Sequence, residues 1–77
     1  MKVSKAQALI LLFDLLSHQK TMRKEDYISL VEINDQTFYR YLSEMRCYLA
    51  NFRPEFELRY NRGDDTYSLI SLVLGNN

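Results

Sequence analysis

The chain changes its hydrophobic period at Pro54, and this change limits the folds open to it. Before that residue, apolar side chains recur every three to four positions, as on the buried side of a helix. After it, Phe56, Leu58 and Tyr60 alternate with charged residues, as in a strand with one buried face. Proline lacks a backbone amide and disfavours a helical conformation at the residue before it. The sequence therefore predicts a helical portion followed by a short β-portion.

Three helices are predicted in the first portion, over residues 5–19, 23–31 and 35–52. Ser4 and Gln7 have the spacing of a capping box, so we expect the first helix to begin directly after Ser4. Asn34 has a suitable side chain for the N-cap of the third helix. Because only Glu32 and Ile33 separate the second helix from the third, these two helices must cross at a steep angle.

Helical wheels predict which side chains face the core when successive residues are placed ~100° apart. In the third helix the predicted inner side consists of Phe38, Tyr41, Leu42, Met45, Leu49 and Phe52. In the first helix it consists of Leu9, Leu12, Phe13 and Leu16. Ile10 and Leu15 lie on the flanks of that side, and Leu11 falls on the outer side. The first helix therefore carries more apolar surface than one buried face requires.

The portion after Pro54 predicts a two-stranded hairpin, which we call the wing, over residues 56–70. Its loop is predicted to be the five residues 61–65, which include the turn-forming Gly63. In the second strand, Tyr67 and Leu69 share the buried face. Residues 71–77 form a tail, and nothing marks a second domain. The predicted fold is a single α+β, mainly α, domain over 1–77, with the element order of a winged helix-turn-helix.

Composition excludes several classes of protein. A chain of 77 residues that is 47% hydrophobic can bury one small core and is too apolar to be disordered. Cys47 and His18 are single, so we expect no disulfide, no metal site and a reducing, cytoplasmic location. The longest apolar run, Ala8 to Phe13, is too short to span a membrane. No nucleophile-base pair or glycine-rich phosphate loop is evident, so neither an enzyme nor a cofactor-binding protein is expected.

One side of the third helix has side chains suited to reading DNA bases. Gln36, Tyr39, Arg40 and Ser43 lie opposite the predicted inner side. Glutamine forms paired hydrogen bonds with adenine in the major groove, and arginine does so with guanine. The helix over 35–52 is therefore a candidate recognition helix for double-stranded DNA. The alternative is that these residues form the ordinary solvated side of an amphipathic helix.

Other residues are candidates for contacts with the DNA backbone. Cations gather at the start of the second helix and along the wing: Lys20, Arg23, Lys24, Arg59 and Arg62. Wing residues 59–66 would then lie along the backbone, and the hydroxyls of Thr37 and Tyr39 could donate to phosphates. Asp35 suits the positive end of the helix dipole and could also accept from cytosine. Ten basic and ten acidic residues cancel, so the charge total adds no support.

Residues 22–42, MRKEDYISLVEINDQTFYRYL, resemble the helix-turn-helix of bacterial DeoR-type regulators and of the N-terminal domains of WYL-type transcriptional regulators. In those families a turn glycine precedes an arginine-threonine-aliphatic-tyrosine-arginine-aspartate run. Thr37, Tyr39, Arg40 and Leu42 match in this segment, and Tyr67 and Leu69 match in the second strand of the wing. The resemblance extends from about Ser4 to Ile70 and implies a winged-helix regulator that binds DNA.

Three positions depart from that family pattern. Gln36 replaces the usual arginine, which removes one implied phosphate or guanine contact, and Tyr41 replaces the usual aspartate. Glu32 replaces the turn glycine, so we expect a turn without a positive φ at that residue. The WYL resemblance also implies a ligand-sensing domain after the wing, so the chain either acts alone or is a piece of a longer protein.

Two questions stay open at the level of sequence. The surplus apolar surface of the first helix could form a homodimer with the tail of a second copy, through Leu11, Leu15, Leu72 and Leu74. Equally, the tail could fold back onto its own first helix. The second question is the class of partner. The zero net charge and the acidic Asp64 and Asp65 at the wing tip favour a winged-helix protein-protein interaction module that does not bind DNA.

Overall fold

The computed structural model describes residues 3–19 and 21–72 of the 77-residue chain. The elements in these ranges are α1 (Lys5–His18), α2 (Lys24–Val31), α3 (Asp35–Phe52), β1 (Phe56–Asn61) and β2 (Thr66–Ser71). The predicted fold class is confirmed, since three helices precede a two-stranded antiparallel hairpin. Helix α3 has the predicted bounds, whereas α1 ends one residue early and α2 begins one residue late.

The first helix begins where its cap requires. The Ser4 Oγ accepts the Gln7 amide at 3.1 Å, and the Gln7 Oε1 accepts the Ser4 amide at 3.3 Å. This is the predicted capping box, which satisfies two backbone donors that a helix N-terminus otherwise leaves without partners.

The turn between α2 and α3 differs from the prediction at Glu32. Its φ of 60° and ψ of 55° are left-handed, so the expectation of a turn without a positive φ was wrong. The amides of Glu32 and Ile33 both donate to the Ile28 carbonyl, at 2.8 and 3.2 Å. A left-handed residue lets a helix end and the chain change direction within a few residues. The backbone therefore keeps the conformation that favours glycine although a glutamate occupies the position.

The wing is a regular hairpin with a shorter loop than predicted. The two strands pair from Phe56 opposite Ser71 to Asn61 opposite Thr66. Because Asn61 joins the ladder, the loop contains four residues, 62–65, and the prediction of five was wrong. The loop closes through Asp65, which has a positive φ of 56°.

A short bridge that the sequence did not predict joins β2 to the segment before α2. The Met22 amide donates to the Tyr67 carbonyl at 2.8 Å, and the Tyr67 amide donates to the Met22 carbonyl at 2.7 Å. Both side chains are buried. The bridge therefore fixes the start of α2 beside the wing.

The core lies between the three helices and the inner face of the wing. Its buried members are Ala8, Leu12, Leu16, Met22, Tyr27, Val31, Phe38, Tyr41, Leu42, Met45, Leu49, Leu58 and Tyr67. The ring of Phe38 is fully buried, with the centroids of Tyr27 and Tyr67 at 5.8 and 5.5 Å. The Tyr27 hydroxyl donates to the Ala8 carbonyl at 2.6 Å, and burial raises the pKa of Tyr27 to about 12. This bond ties α2 to α1.

Two apolar side chains do not lie where the helical wheels placed them. Phe52 was predicted to face inward and is 70% exposed, because it is the last residue of α3, beyond the turn at Tyr48 that Phe13 contacts. Leu11 was predicted on the outer side of α1 and instead packs, partly buried, against the core. Helix α1 contacts both α3 and β2, so it buries a wider side than one neighbour would cover.

Candidate nucleic-acid interface

The outer side of α3 is held in place by its inner side. Along the inner side, Phe38, Tyr41, Leu42, Met45 and Leu49 are buried. Between them in sequence, Gln36, Tyr39, Arg40 and Ser43 are exposed. Residues three or four apart share one side of a helix, so these four side chains form a continuous row in the first turns of α3. The row faces solvent, as the wheel predicted.

Most of this row has no partner within the protein. The side chains of Gln36, Arg40 and Ser43 make no hydrogen bond or ion pair with any described residue. Their amide, guanidinium and hydroxyl groups together offer donors and acceptors in the combination that base edges require. These groups are therefore available to an external partner.

The start of α3, by contrast, is tied down by short-range bonds. The Asn34 Oδ1 accepts the Thr37 amide at 2.8 Å, which confirms Asn34 as the N-cap. Asp35 lies in the first turn, where its charge suits the helix dipole. Thr37 is partly buried, so its hydroxyl is less accessible than the side chains of the exposed row. The cap sets the direction in which α3 leaves the turn.

Lys24 connects the start of α2 to the start of α3. Its Nζ donates to the Tyr39 hydroxyl at 3.3 Å and to the Asp35 Oδ2 at 3.2 Å, and lies 5.3 Å from the centre of the Tyr39 ring. These bonds, with Tyr39 first and Asp35 second, raise the pKa of Lys24 above its ordinary value. The lysine that the sequence assigned to a DNA phosphate is thus already engaged inside the protein, where it holds Tyr39 and Asp35.

The cations divide into paired and unpaired groups. Ion pairs join Lys5 to Glu44, Lys24 to Asp35, Arg53 to Glu55 and Arg59 to Glu57. Four exposed arginines have no partner among the described residues: Arg23, Arg40, Arg46 and Arg62. Of the predicted backbone contacts, Arg23 and Arg62 are therefore free, whereas Arg59 is in an exposed pair at 3.1 Å. Such a pair is weak and can exchange its partner. Lys20 lies outside the described residues.

A cleft of about 350 Å³ brings α2, α3 and the wing together. Its lining residues are Lys24, Tyr39, Leu42, Arg46, Tyr60, Asp65 and Tyr67. The outer side of α3 therefore adjoins the wing, which is the arrangement needed for one surface to contact both a groove and the neighbouring backbone.

Arg46 is a candidate that the sequence prediction missed. It lies on α3 three residues after Ser43, so it continues the exposed row by almost one further turn of helix, and it is nearly two turns from Tyr39. It also lines the cleft beside Tyr60. The spacing from Tyr39 through Ser43 was the signal that could have identified it. The prediction stopped at the first two turns of the helix and did not follow that row further.

Acidic groups lie beside Arg62, which is the arginine of the wing without an ion pair among the described residues. The Tyr60 hydroxyl donates to the Asp65 Oδ1 at 2.7 Å, a bond that raises the pKa of Tyr60. The Asn61 Nδ2 donates to the Asp64 Oδ2 at 3.3 Å. These bonds organise the loop, but both carboxylates remain next to Arg62 and lower the positive potential there.

The residues expected at a homodimer surface are divided. Leu11 and Leu15 pack partly against their own core. Leu72 is 50% exposed where β2 ends, and Leu74 lies outside the described residues. The large apolar side chain of α1 that is most exposed is Ile10, at 68%. Leu11 and Leu15 thus offer only part of their surface to a second copy, whereas Ile10 offers most of its own.

The described residues contain no group of three or more His, Cys, Asp or Glu side chains placed to hold a metal ion. In the same part of the chain, no helix is both long enough and apolar enough to cross a bilayer. No protein-family model, curated protein or solved structure matches the chain. The likeness to DeoR-type and WYL-type regulators therefore stays a prediction from sequence.

Proposed function

We propose that the protein binds double-stranded DNA sequence-specifically, as a small transcriptional regulator of prokaryotic or phage type. The first turns of α3 enter the major groove, and wing residues 59–66 lie along the backbone. The observation that carries this proposal is the exposed row of Gln36, Arg40 and Ser43, which has no partner among the described residues. It stands on a helix whose opposite side is fixed in the core.

Each side chain of the row has a definite role in this proposal. The Gln36 amide pairs with adenine, and the Arg40 guanidinium pairs with guanine, each through two parallel hydrogen bonds. Ser43 lies one turn further on and contacts either a base or a phosphate. Tyr39 is held by Lys24 at 3.3 Å, so its ring is oriented before DNA arrives. An oriented side chain loses less conformational entropy on binding.

The free arginines supply the contacts with phosphates. Arg40 is assigned to guanine, which leaves Arg23, Arg46 and Arg62 for phosphates. Neutralising one phosphate changes the logarithmic salt slope by about −0.9, so these three arginines predict a slope of roughly −3 for one copy. That is a modest electrostatic contribution. Two copies on symmetric half-sites would double it, and helix-turn-helix proteins commonly bind in this way. We therefore include a second copy of the chain in the proposal.

A second candidate function is a protein-protein interaction module. It is favoured by Asp64 and Asp65, which are exposed at the wing tip and oppose the approach of a phosphate backbone. A basic protein partner would fit that end of the wing better than DNA does. The two candidates differ in the sign of charge that the wing attracts.

The test is selection from random duplexes, followed by fluorescence anisotropy at two salt concentrations. Wild type is compared with the double variant Gln36→Ala/Arg40→Ala. Each paired contact is worth about 1–3 kcal/mol, so the double variant should bind the selected duplex at least ~30-fold more weakly. Lys5→Ala, scored on a single half-site duplex so that self-association does not contribute, is the matched control, because it removes one exposed cation from α1 and leaves the row intact. Equal affinity of the double variant and wild type, or no binding at low salt, contradicts the proposal.

A further inference from the structure

An apolar groove lies between α1 and α3, away from the candidate interface. It has a volume of about 360 Å³ and is lined by Leu9, Ile10, Phe13, Glu44, Met45 and Tyr48. The Tyr48 ring contacts Phe13 edge-on at 6.1 Å and Phe52 at 5.6 Å, so Phe52 extends the groove toward the end of α3. The exposed fractions are 68% for Ile10, 41% for Tyr48 and 70% for Phe52.

These three exposed side chains form a connected patch. Single exposed apolar residues are common on protein surfaces, whereas a connected group marks a surface that is covered in the working molecule. From the usual area of aromatic side chains, the patch presents roughly 300 Å². That is enough for the apolar centre of a small interface, in which polar side chains supply the rim.

We propose that this groove is the interface between two copies of the chain, related by a two-fold axis, with Ile10, Tyr48 and Phe52 of each copy at its centre. A two-fold contact places the same patch on both sides, so an apolar patch meets an apolar patch. The choice of a second copy rests partly on the proposed function, since DNA half-sites require two reading helices.

Charge also favours a second copy over a charged partner. The charged residues at this patch form two ion pairs. The Lys5 Nζ and Glu44 Oε2 are 3.4 Å apart, and Arg53, which lies beside Tyr48, pairs with Glu55 at 2.8 Å. These charges balance, so the surface has no excess that would select a basic or an acidic partner. In a two-fold arrangement each Lys5 can pair with a Glu44 across the interface, so no charge is left without a partner when the interface forms.

The position of the groove on α3 leaves the DNA-reading row accessible. At ~100° per residue, Tyr48 and Phe52 point roughly 140–180° away from Ser43 and roughly 80–120° away from Arg40 around the helix axis. Tyr48 also lies ~18 Å beyond Gln36 along that axis, so the reading end of α3 stays in solvent in both copies.

The test is sedimentation equilibrium at concentrations from roughly 5 to 500 μM, a range suited to an interface of this small size. The wild-type mass should rise from 9.2 kDa toward twice that value. Phe52→Asp and Ile10→Asp should weaken self-association at least ~30-fold, because each places a charge at the centre of the interface. Leu30→Asp is the matched control, since Leu30 is 39% exposed on α2 outside the groove.

A fluorescent variant keeps the test independent of folding defects. The chain has no tryptophan, so Phe52→Trp introduces a single reporter at an exposed position. Its emission should shift to shorter wavelength as concentration rises, and circular dichroism should show unchanged helix content. A wild type that stays monomeric throughout, or a Phe52→Asp variant that associates like wild type, overturns the proposal.

DNA binding is scored separately on the same variants. If wild type self-associates through the groove and binds no duplex, the interface stands and the proposed function fails. If duplex binding is present and wild type never self-associates, the interface fails and the proposed function stands. When both hold, Phe52→Asp should lose affinity for a two-half-site duplex and keep wild-type affinity for a single half-site.

Discussion

The two sides of helix α3 differ in how far their chemical groups are satisfied by the protein itself. On the inner side, Phe38 and Leu42 are buried in the aromatic and aliphatic core. On the outer side, Gln36, Arg40 and Arg46 have no partner among the described residues. We therefore expect stability to depend on one side of the helix and the proposed recognition on the other. Substitutions on the two sides should then separate folding from binding.

The largest effect is expected at the centre of the inner side. Phe38→Ala removes a fully buried ring that contacts Tyr27 and Tyr67. Truncations of this kind cost about 3–5 kcal/mol, which is a large part of the stability of a domain this small. Urea denaturation should show a mostly unfolded variant, whereas Phe38→Leu should stay folded. A loss below about 1 kcal/mol would mean that the inner side is not what fixes the helix.

A smaller loss is expected at the cap, where the two sides begin. Asn34→Ala removes the acceptor for the Thr37 amide, 2.8 Å away. Loss of an N-cap costs about 1 kcal/mol, and thermal unfolding should report it. Asn34→Asp should retain most of the stability, because aspartate is an equally good cap. Equal melting temperatures of the alanine and aspartate variants would show that the Asn34 side chain does not stabilise α3.

The turn before α3 allows two variants to be compared whose free energies of unfolding should differ by a similar or smaller amount. Glu32 has a φ of 60°, which costs an alanine about 1 kcal/mol and a glycine almost nothing. Glu32→Gly should therefore be more stable than Glu32→Ala by up to about 1 kcal/mol in urea denaturation. Comparing these two variants isolates the backbone from the glutamate side chain. An alanine variant as stable as the glycine variant would show that the left-handed turn is not maintained.

The smallest effect on folding is expected on the outer side. Arg46→Gln removes an exposed guanidinium that makes no hydrogen bond or ion pair with a described residue, so the free energy of unfolding should change by less than about 0.5 kcal/mol. The logarithmic salt slope of duplex binding should nevertheless fall by about 1, as for one lost phosphate contact. On a single half-site duplex, Lys5→Gln should leave that slope unchanged. A large loss of stability in Arg46→Gln would show that this arginine contributes to folding and does not belong with the outer side of α3.

Much of the fold was predictable because the signals that determine it are local. The capping box at Ser4, the cap at Asn34 and the change of period at Pro54 each depend on residues a few positions apart. The inner side of α3 was also predictable through Leu49. A helical wheel describes one helix without its neighbours, however, so it misplaced Leu11, which packs partly against the core, and Phe52, which is exposed at the end of α3.

The candidate site was less predictable because its details depend on contacts between elements. The ion pair of Lys24 with Asp35 joins residues 11 positions apart, and it exists only because α2 and α3 cross there. The bridge of Met22 to Tyr67 is a single pair, which leaves no periodic signal. The residue type of Glu32 does not indicate its left-handed conformation, because the short turn between α2 and α3 imposes that conformation.

The central claim is that the outer side of α3 meets duplex DNA, and nuclear magnetic resonance tests it most directly. Amide and arginine side-chain signals are followed as a single half-site of the selected duplex is added at low salt, so that self-association does not contribute. We expect the largest shifts at Gln36, Arg40, Ser43 and Arg46 and in wing residues 59–66, with little change at Ile10 and Phe13. Shifts confined to the groove between α1 and α3, or none at saturating duplex, would contradict it.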